Sequence, residues 1–183
     1  VLFQNALGAT NGQTTWQYDV LDNVVSVAPP AVAATTYEYN VAGRLTKVAD
    51  AFGTETVYAY DAAGNKISET DPRGNTTQFE YDGNNRQVKT IYPDATESTV
   101  SYDAEGNKVS QTDQAGNATT YEYDANNRLT KVIDALGNET TYQYDSLDNR
   151  TAITDANGHT TTFEYDALGR MTKRTLPLAM SET

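Results

Sequence analysis

Residues 119–124 read Thr119-Thr120-Tyr121-Glu122-Tyr123-Asp124, and the tyrosine near the end of this run returns every 21 residues along the chain. It stands at Tyr18, Tyr39, Tyr60, Tyr81, Tyr102, Tyr123, Tyr144 and Tyr165, eight copies without a slip. Aspartate follows in seven of them (Asp19, Asp61, Asp82, Asp103, Asp124, Asp145, Asp166), and Asn40 takes its place in the other. A fixed period of this length marks one supersecondary unit stacked on copies of itself, each burying a face that it could not bury alone. Function in such a chain lies in the surface that the stack builds, and no single catalytic site is expected.

Two turn signals sit at fixed offsets from the tyrosine. Four residues on come Asp22, Gly43, Gly64, Asn85, Gly106, Asn127, Asp148 and Gly169, the residue types that tolerate positive φ. Fourteen residues on come Gly53, Gly74, Gly116, Gly137 and Gly158, each preceded three residues earlier by aspartate (Asp50, Asp71, Asp113, Asp134, Asp155). Asp at the first position and Gly at the fourth predict a type I turn closed by a left-handed residue. Between the turns lie short runs rich in Thr, Val, Ile and Tyr, such as Thr35–Tyr39 and Leu45–Val48, of strand length and composition. No segment shows a helical period. The expected fold is all-β: an antiparallel meander of about sixteen strands built from tandem 21-residue β-hairpins, forming a curved or spiral sheet.

The residue two before each tyrosine is also large and apolar: Trp16, Tyr37, Tyr58, Phe79, Val100, Tyr121, Tyr142 and Phe163. Period two puts both on one face and Glu38, Glu80, Glu122 and Glu164 on the other. Stacked aromatic rings about 4.8 Å apart are therefore expected on one side, with an acidic, threonine-rich face opposite. The odd repeat length poses a problem of register. With two three-residue loops, each tyrosine would change face from one repeat to the next. Either one loop has even length, or each repeat carries a β-bulge.

A longer period overlies the first. Five residues after each tyrosine the chain alternates Asn23, Arg44, Asn65, Arg86, Asn107, Arg128, Asn149, Arg170, and three further on Ser26, Lys47, Ser68, Lys89, Ser110, Lys131, Ala152, Lys173. Pairs of hairpins thus read as 42-residue modules, one hairpin basic and the other neutral. A three-residue first loop sets Asp82 opposite Arg86, Asp124 opposite Arg128 and Asp166 opposite Arg170, as pairs that fix register.

Composition narrows the partners. The net charge of −12 and pI near 4.3 argue against nucleic acid, whose binders need clustered cations. The absence of cysteine excludes disulfides, thiolate metal sites and thiol nucleophiles. No apolar run is long enough to span a membrane as a helix. His159 is the single histidine and reads as an exposed turn residue in place of the asparagines at 75, 117 and 138. Asp-x-x-Gly-Asn turns carry oxygen ligands suited to calcium, yet an aspartate that accepts backbone N–H bonds at the start of a turn accounts for them without a metal. No cofactor, metal or catalytic residue is expected, and the chain does not read as an enzyme. Exposed strand edges at either end of a sheet would favour edge-to-edge self-association.

The runs Tyr121-Glu122-Tyr123-Asp124, Asp134-Ala135-Leu136-Gly137-Asn138 and Asp166-Ala167-Leu168-Gly169-Arg170 resemble the YD repeats of Rhs proteins, wall-associated bacterial proteins, the BC shell of Tc toxins and teneurins. The likeness spans about residues 16–183. It implies a strip that coils into a hollow shell, with adjoining YD repeats and an encapsulated C-terminal toxin as partners, in a secreted or cell-surface protein. The alternative is a cell-surface adhesion or carbohydrate-binding module. Asp71-Pro72-Arg73-Gly74 is similar to the Asp-Pro-x-Gly signature of the family's self-cleaving core segment, but it falls at an ordinary turn position. Residues 1–9 form an irregular segment in which Val1-Leu2-Phe3-Gln4 resembles a viral 3C protease site, either an expression scar or native sequence. The array is expected to run from 10 to 183 and to stop in mid-repeat.

Overall fold

The computed structural model describes residues 12–177, so the expectations for residues 1–9 and for the mid-repeat end lie outside the described residues. Sixteen strands follow one another in a single antiparallel order, and no helix occurs among the described residues. The chain divides into two compact units, residues 1–96 and 97–183. The first holds β1 (Thr15–Tyr18), β2 (Val24–Ala28), β3 (Thr35–Tyr39), β4 (Leu45–Ala49), β5 (Glu55–Tyr60), β6 (Lys66–Thr70), β7 (Thr76–Tyr81) and β8 (Gln87–Ile91). The second holds β9 (Glu97–Tyr102), β10 (Lys108–Thr112), β11 (Ala118–Tyr123), β12 (Leu129–Ile133), β13 (Glu139–Tyr144), β14 (Arg150–Thr154), β15 (Thr160–Tyr165) and β16 (Met171–Thr175).

Both turns of each repeat are three-residue loops, so an even-length loop is not the answer to the odd period. In the first turn, Asp124 N–H donates to Arg128 O at 3.0 Å and Asn127 N–H donates to Asp124 O at 3.0 Å. In the second, Asp134 N–H donates to Asn138 O and Gly137 N–H to Asp134 O, each at 3.0 Å. All eight first-turn residues named above adopt positive φ. The odd residue is absorbed by a bulge in the second strand of each hairpin. Glu38 faces Lys47 and Tyr39 faces Leu45, which leaves Thr46 unpaired. The same shift leaves Val109 over in β10 and Thr130 in β12. At Thr46, Thr130 and Thr172 the hydroxyl of the extra residue donates to the carbonyl of the opposing glutamate, Glu38, Glu122 and Glu164, at 3.1 Å.

This bulge preserves the faces and moves the register. Glu38 lies across from Lys47, and Lys47 lies across from Val57, so the sheet returns to the same lateral row at residue 57 and not at 59. Glu122, Lys131 and Thr141 repeat the step in the second unit. Each hairpin therefore slips two residues, roughly 6.7 Å, against the one before it. An even slip keeps every tyrosine on the same side.

Successive tyrosines are not neighbours at 4.8 Å. They occupy alternate strands, so a complete strand separates them and the expected continuous ring stack is replaced by an interleaved face. The intervening strands supply Lys66, Lys108 and Arg150, whose cationic groups lie over rings. Lys66 Nζ is 5.0 Å from the Phe79 ring centre, Lys108 Nζ is 4.5 Å from Tyr121, and Arg150 Cζ is 5.6 Å from Phe163. The basic-and-neutral reading of the 42-residue module is corrected by the same residues. From the second module on, the hairpin read as neutral carries a cation of its own, Lys66, Lys108 or Arg150, on the ring face, while Lys47 and Lys131 of the other hairpins lie on the acidic face. Lys47 on the acidic face bonds Glu38 at 2.7 Å and Glu55 at 3.1 Å, and the Glu38 contact raises its pKa above the usual lysine value.

The sheet is one layer and has almost no core. Among the described residues only Ala152 and Phe163 are buried apolar side chains, and no side chain is fully enclosed. Two of the second turns depart from the glycine rule: Ala31 and Ala95 take positive φ (59° and 65°). Pro29-Pro30 precedes Ala31, and proline at the second position of a turn favours a left-handed third residue. Alanine pays a steric penalty there that glycine avoids. Ala95→Gly is expected to stabilise the protein by about 0.5–1 kcal/mol, after allowing for the freer unfolded chain, and to raise Tm by roughly 2 °C in thermal denaturation. A Cβ at Gly116 would meet nothing within 4 Å, so Gly116→Ala should lower Tm through conformational strain alone.

Candidate functional site

A periodic tyrosine such as Tyr123 does two jobs. Its ring paves one face, and its hydroxyl reaches back across the junction between hairpins. Tyr123 Oη donates to Lys108 O at 3.0 Å, and Tyr39, Tyr81, Tyr144 and Tyr165 make the same bond, each at 2.9 Å, to the residue fifteen positions earlier. The reason lies in the register. The ladder between β10 and β11 ends at Ser110–Thr120, two residues short of Lys108. Where the strands part, the tyrosine hydroxyl takes the place of a backbone donor. Burial pushes the Tyr123 phenol pKa up. Tyr123→Phe should cost about 1 kcal/mol, measured by denaturant unfolding, because the carbonyl loses its donor while the ring remains.

The aspartate after the tyrosine closes the first turn. Asp124 Oδ1 accepts the Asn126 and Arg128 backbone N–H groups at 2.9 and 3.0 Å, and Oδ2 accepts Arg128 Nε at 2.7 Å. Asp82–Arg86 and Asp166–Arg170 repeat the ion pair at 2.7 Å. In the alternate hairpins asparagine replaces arginine: Asp61 Oδ2 accepts Asn65 Nδ2 at 2.9 Å, Asp103 accepts Asn107 at 3.0 Å and Asp145 accepts Asn149 at 2.9 Å. The second-turn aspartates act alike. Asp71 accepts Arg73 N–H, Asn75 N–H and Asn75 Nδ2, each at 2.8 Å, so the Asp-Pro-Arg-Gly run is a turn of the array. His159 stands in for that asparagine, with Nδ1 3.2 Å from Asp155 Oδ2.

These donors lower the aspartate pKa values along the chain. The Asn65 carboxamide holds the Asp61 carboxyl below the ordinary value, the Arg128 guanidinium does so for Asp124, and for Asp82 the Arg86 backbone N–H leads. No group of three or more His, Cys, Asp or Glu side chains is arranged to hold a metal among the described residues.

The turns are also tied to one another. Arg44 Nη1 donates to Asp61 O at 3.0 Å with its guanidinium carbon 5.8 Å from the Tyr60 ring centre. Arg128 Nη1 donates to Asp145 O at 2.9 Å and pairs with Asp148 Oδ1 at 2.8 Å, with Cζ 4.9 Å from the Tyr144 ring. A Cβ at Gly64 would come within 3.2 Å of Arg44 Cζ, which gives glycine a second reason to stand there. Asparagine reaches less far: Asn65 Nδ2 donates to Asn85 Oδ1 at 2.8 Å, and Asn107 Nδ2 to Asn127 Oδ1 at 2.9 Å. The reading of the sequence found the Asn/Arg alternation but not this bridging. It also passed over the alternation one position further on, where Lys66, Lys108 and Arg150 mark the cationic side of the aromatic face.

A family model described as RHS Repeat matches residues 39–76, 60–97, 102–139, 123–160 and 144–179, and every match opens on a periodic tyrosine. The chain belongs to the RHS repeat family. No curated protein matches it. Solved structures with a similar arrangement include the complex titled TcdB2-TccC3-Cdc42, at 15% identity and a TM-score of 0.47 over 88% of this chain. A Photorhabdus luminescens Tc holotoxin pore gives 15% and 0.46, also over 88% of this chain. A porin-like protein from Bacteroides uniformis gives 15% identity and 0.35, over 89% of both chains. The RHS repeat chain spans 11% of the length of the Tc toxin chains. No helix among the described residues is long and apolar enough to cross a membrane.

Proposed function

We propose that this RHS repeat array is a wall segment of a secreted or cell-surface shell that encloses an effector polypeptide. Its role is structural and involves no catalytic step. The observation that carries the reading is the one-layer sheet, in which no side chain among the described residues is fully enclosed. Such a sheet separates two spaces and leaves its aromatic–cation face and its acidic face both available. The two-residue slip per hairpin supports it, because a strip whose strands shift steadily in one direction advances as it grows. The wall would act by exclusion and confinement: it denies the cargo the volume to fold, and it denies outside targets access.

Adhesion to glycans is the weaker reading. Sugars stack on open aromatic faces, whereas here Lys66, Lys108 and Arg150 already lie over the rings of Tyr58, Phe79, Tyr121, Tyr142 and Phe163. Small-angle scattering coupled to size exclusion tests the proposal. A curved strip one sheet thick is the expected result, and a straight rod would move the assignment to an extended stalk.

A further inference from the structure

The junction between β10 and β11 holds an open groove of about 500 Å³ whose lining includes Asp103, Glu105, Asn107, Tyr123, Asp124 and Asn127. Shifted forward by 21 residues, five of these become Asp124, Arg128, Tyr144, Asp145 and Asp148. That is the set which holds the Arg128 guanidinium, by a ring face at 4.9 Å, an ion pair at 2.7 Å to Asp124, a carbonyl at 2.9 Å and a carboxylate at 2.8 Å. Arg44 sits over Tyr60 and donates to Asp61 O in the same manner. At β10/β11 the position that supplies the guanidinium is asparagine, and its carboxamide stops at Asp103 Oδ2 and Asn127 Oδ1. The groove has kept the acceptors and the ring and has lost the occupant.

We propose that this groove binds the guanidinium of an arginine side chain carried by another polypeptide. The ring face of Tyr123 would stack on its plane, and the Asp124 carbonyl and the Asp103 carboxylate would accept its N–H groups. Glu105 adds a carboxylate that the Arg-filled junctions at Asp61 and Asp145 do not have, since the corresponding positions are Ala42 beside Arg44 and Asn126 beside Arg128. No lysine or arginine lines the groove. Lysine fits less well because its ammonium is a point charge without a stacking plane. Free arginine fits less well because its own carboxylate would face the acidic side chains of the lining.

The test is a solution NMR titration of the intact chain with N-acetyl-arginine amide, N-acetyl-lysine amide and free arginine. The expected result is saturable shifts of the Tyr123 ring and Asn127 side-chain signals with the arginine amide, in roughly the millimolar range, and at least tenfold weaker effects with the lysine amide. Free arginine should bind more weakly than its amide. Glu105→Gln should weaken binding about threefold. Asn107→Arg, which recreates the Arg128 arrangement and so preserves the fold, should abolish the Tyr123 response. Equal binding of the lysine and arginine amides would reduce the groove to general attraction for cations and overturn the assignment. An unchanged response in Asn107→Arg would place binding elsewhere, and equal binding of free arginine would overturn the polypeptide source.

Discussion

Phe163→Ala is expected to destabilise the last two hairpins by about 3 kcal/mol, the largest effect of any single side chain in the array. Phe163 is 9% exposed, whereas Trp16 at the same place in the first repeat is 54% exposed. The phenylalanine also lies under the Arg150 guanidinium, 5.6 Å from its ring centre, so its removal leaves a cation over a gap. Trp16→Ala should cost less than about 1 kcal/mol because the lost ring was already wet. Because repeat arrays are stabilised by nearest-neighbour interfaces, the loss should be local. Hydrogen exchange should show faster opening of β15 and β16, with protection in β5 to β8 unchanged. A uniform loss of protection along the chain would show that the hairpins melt as one.

Acid should unfold the array as a whole. The carboxyls of Asp61, Asp71, Asp82, Asp113, Asp124, Asp134, Asp145 and Asp166 all titrate below their ordinary value, because each accepts turn N–H groups together with an asparagine or arginine side chain. In the unfolded chain these groups regain the ordinary value near 4. Between the two values the unfolded state therefore binds more protons than the native state, and stability falls as the pH is lowered. The contribution is complete above the ordinary aspartate range and is lost as the pH drops through the native values. Circular dichroism should show strand signal retained at pH 5 and a steep loss below about pH 3. Full strand signal at pH 2 would mean that the turns hold without their carboxylates.

The one-dimensional features of this protein were legible without coordinates, because a turn is a local event. Asp124 needs only Asn126 and Arg128 to close its loop, and Asn127 needs only its own tolerance of positive φ, so residue type and spacing decide both. Strand alternation is local in the same way and put Tyr121 and Glu122 on opposite faces. The 21-residue period then propagated one hairpin into eight, and the repeat family followed from the motif that recurs in it.

What required tertiary structure was everything that depends on which strand lies beside which. The odd repeat length stated the problem of register but not its solution, since a bulge at Thr46 and an even loop satisfy the same count. That choice sets the two-residue slip, ends the ladder short of Lys108 and so gives the Tyr123 hydroxyl its carbonyl. The expected ring stack failed for a related reason: sequence order places tyrosines in consecutive repeats, while the sheet inserts a strand between them and fills it with Lys66, Lys108 and Arg150. The groove at Asn107 lies at the same level. A shorter side chain in a repeat is visible in the sequence, but whether it leaves a space, and whether a ring and a carbonyl face that space, depends on contacts between residues some twenty positions apart.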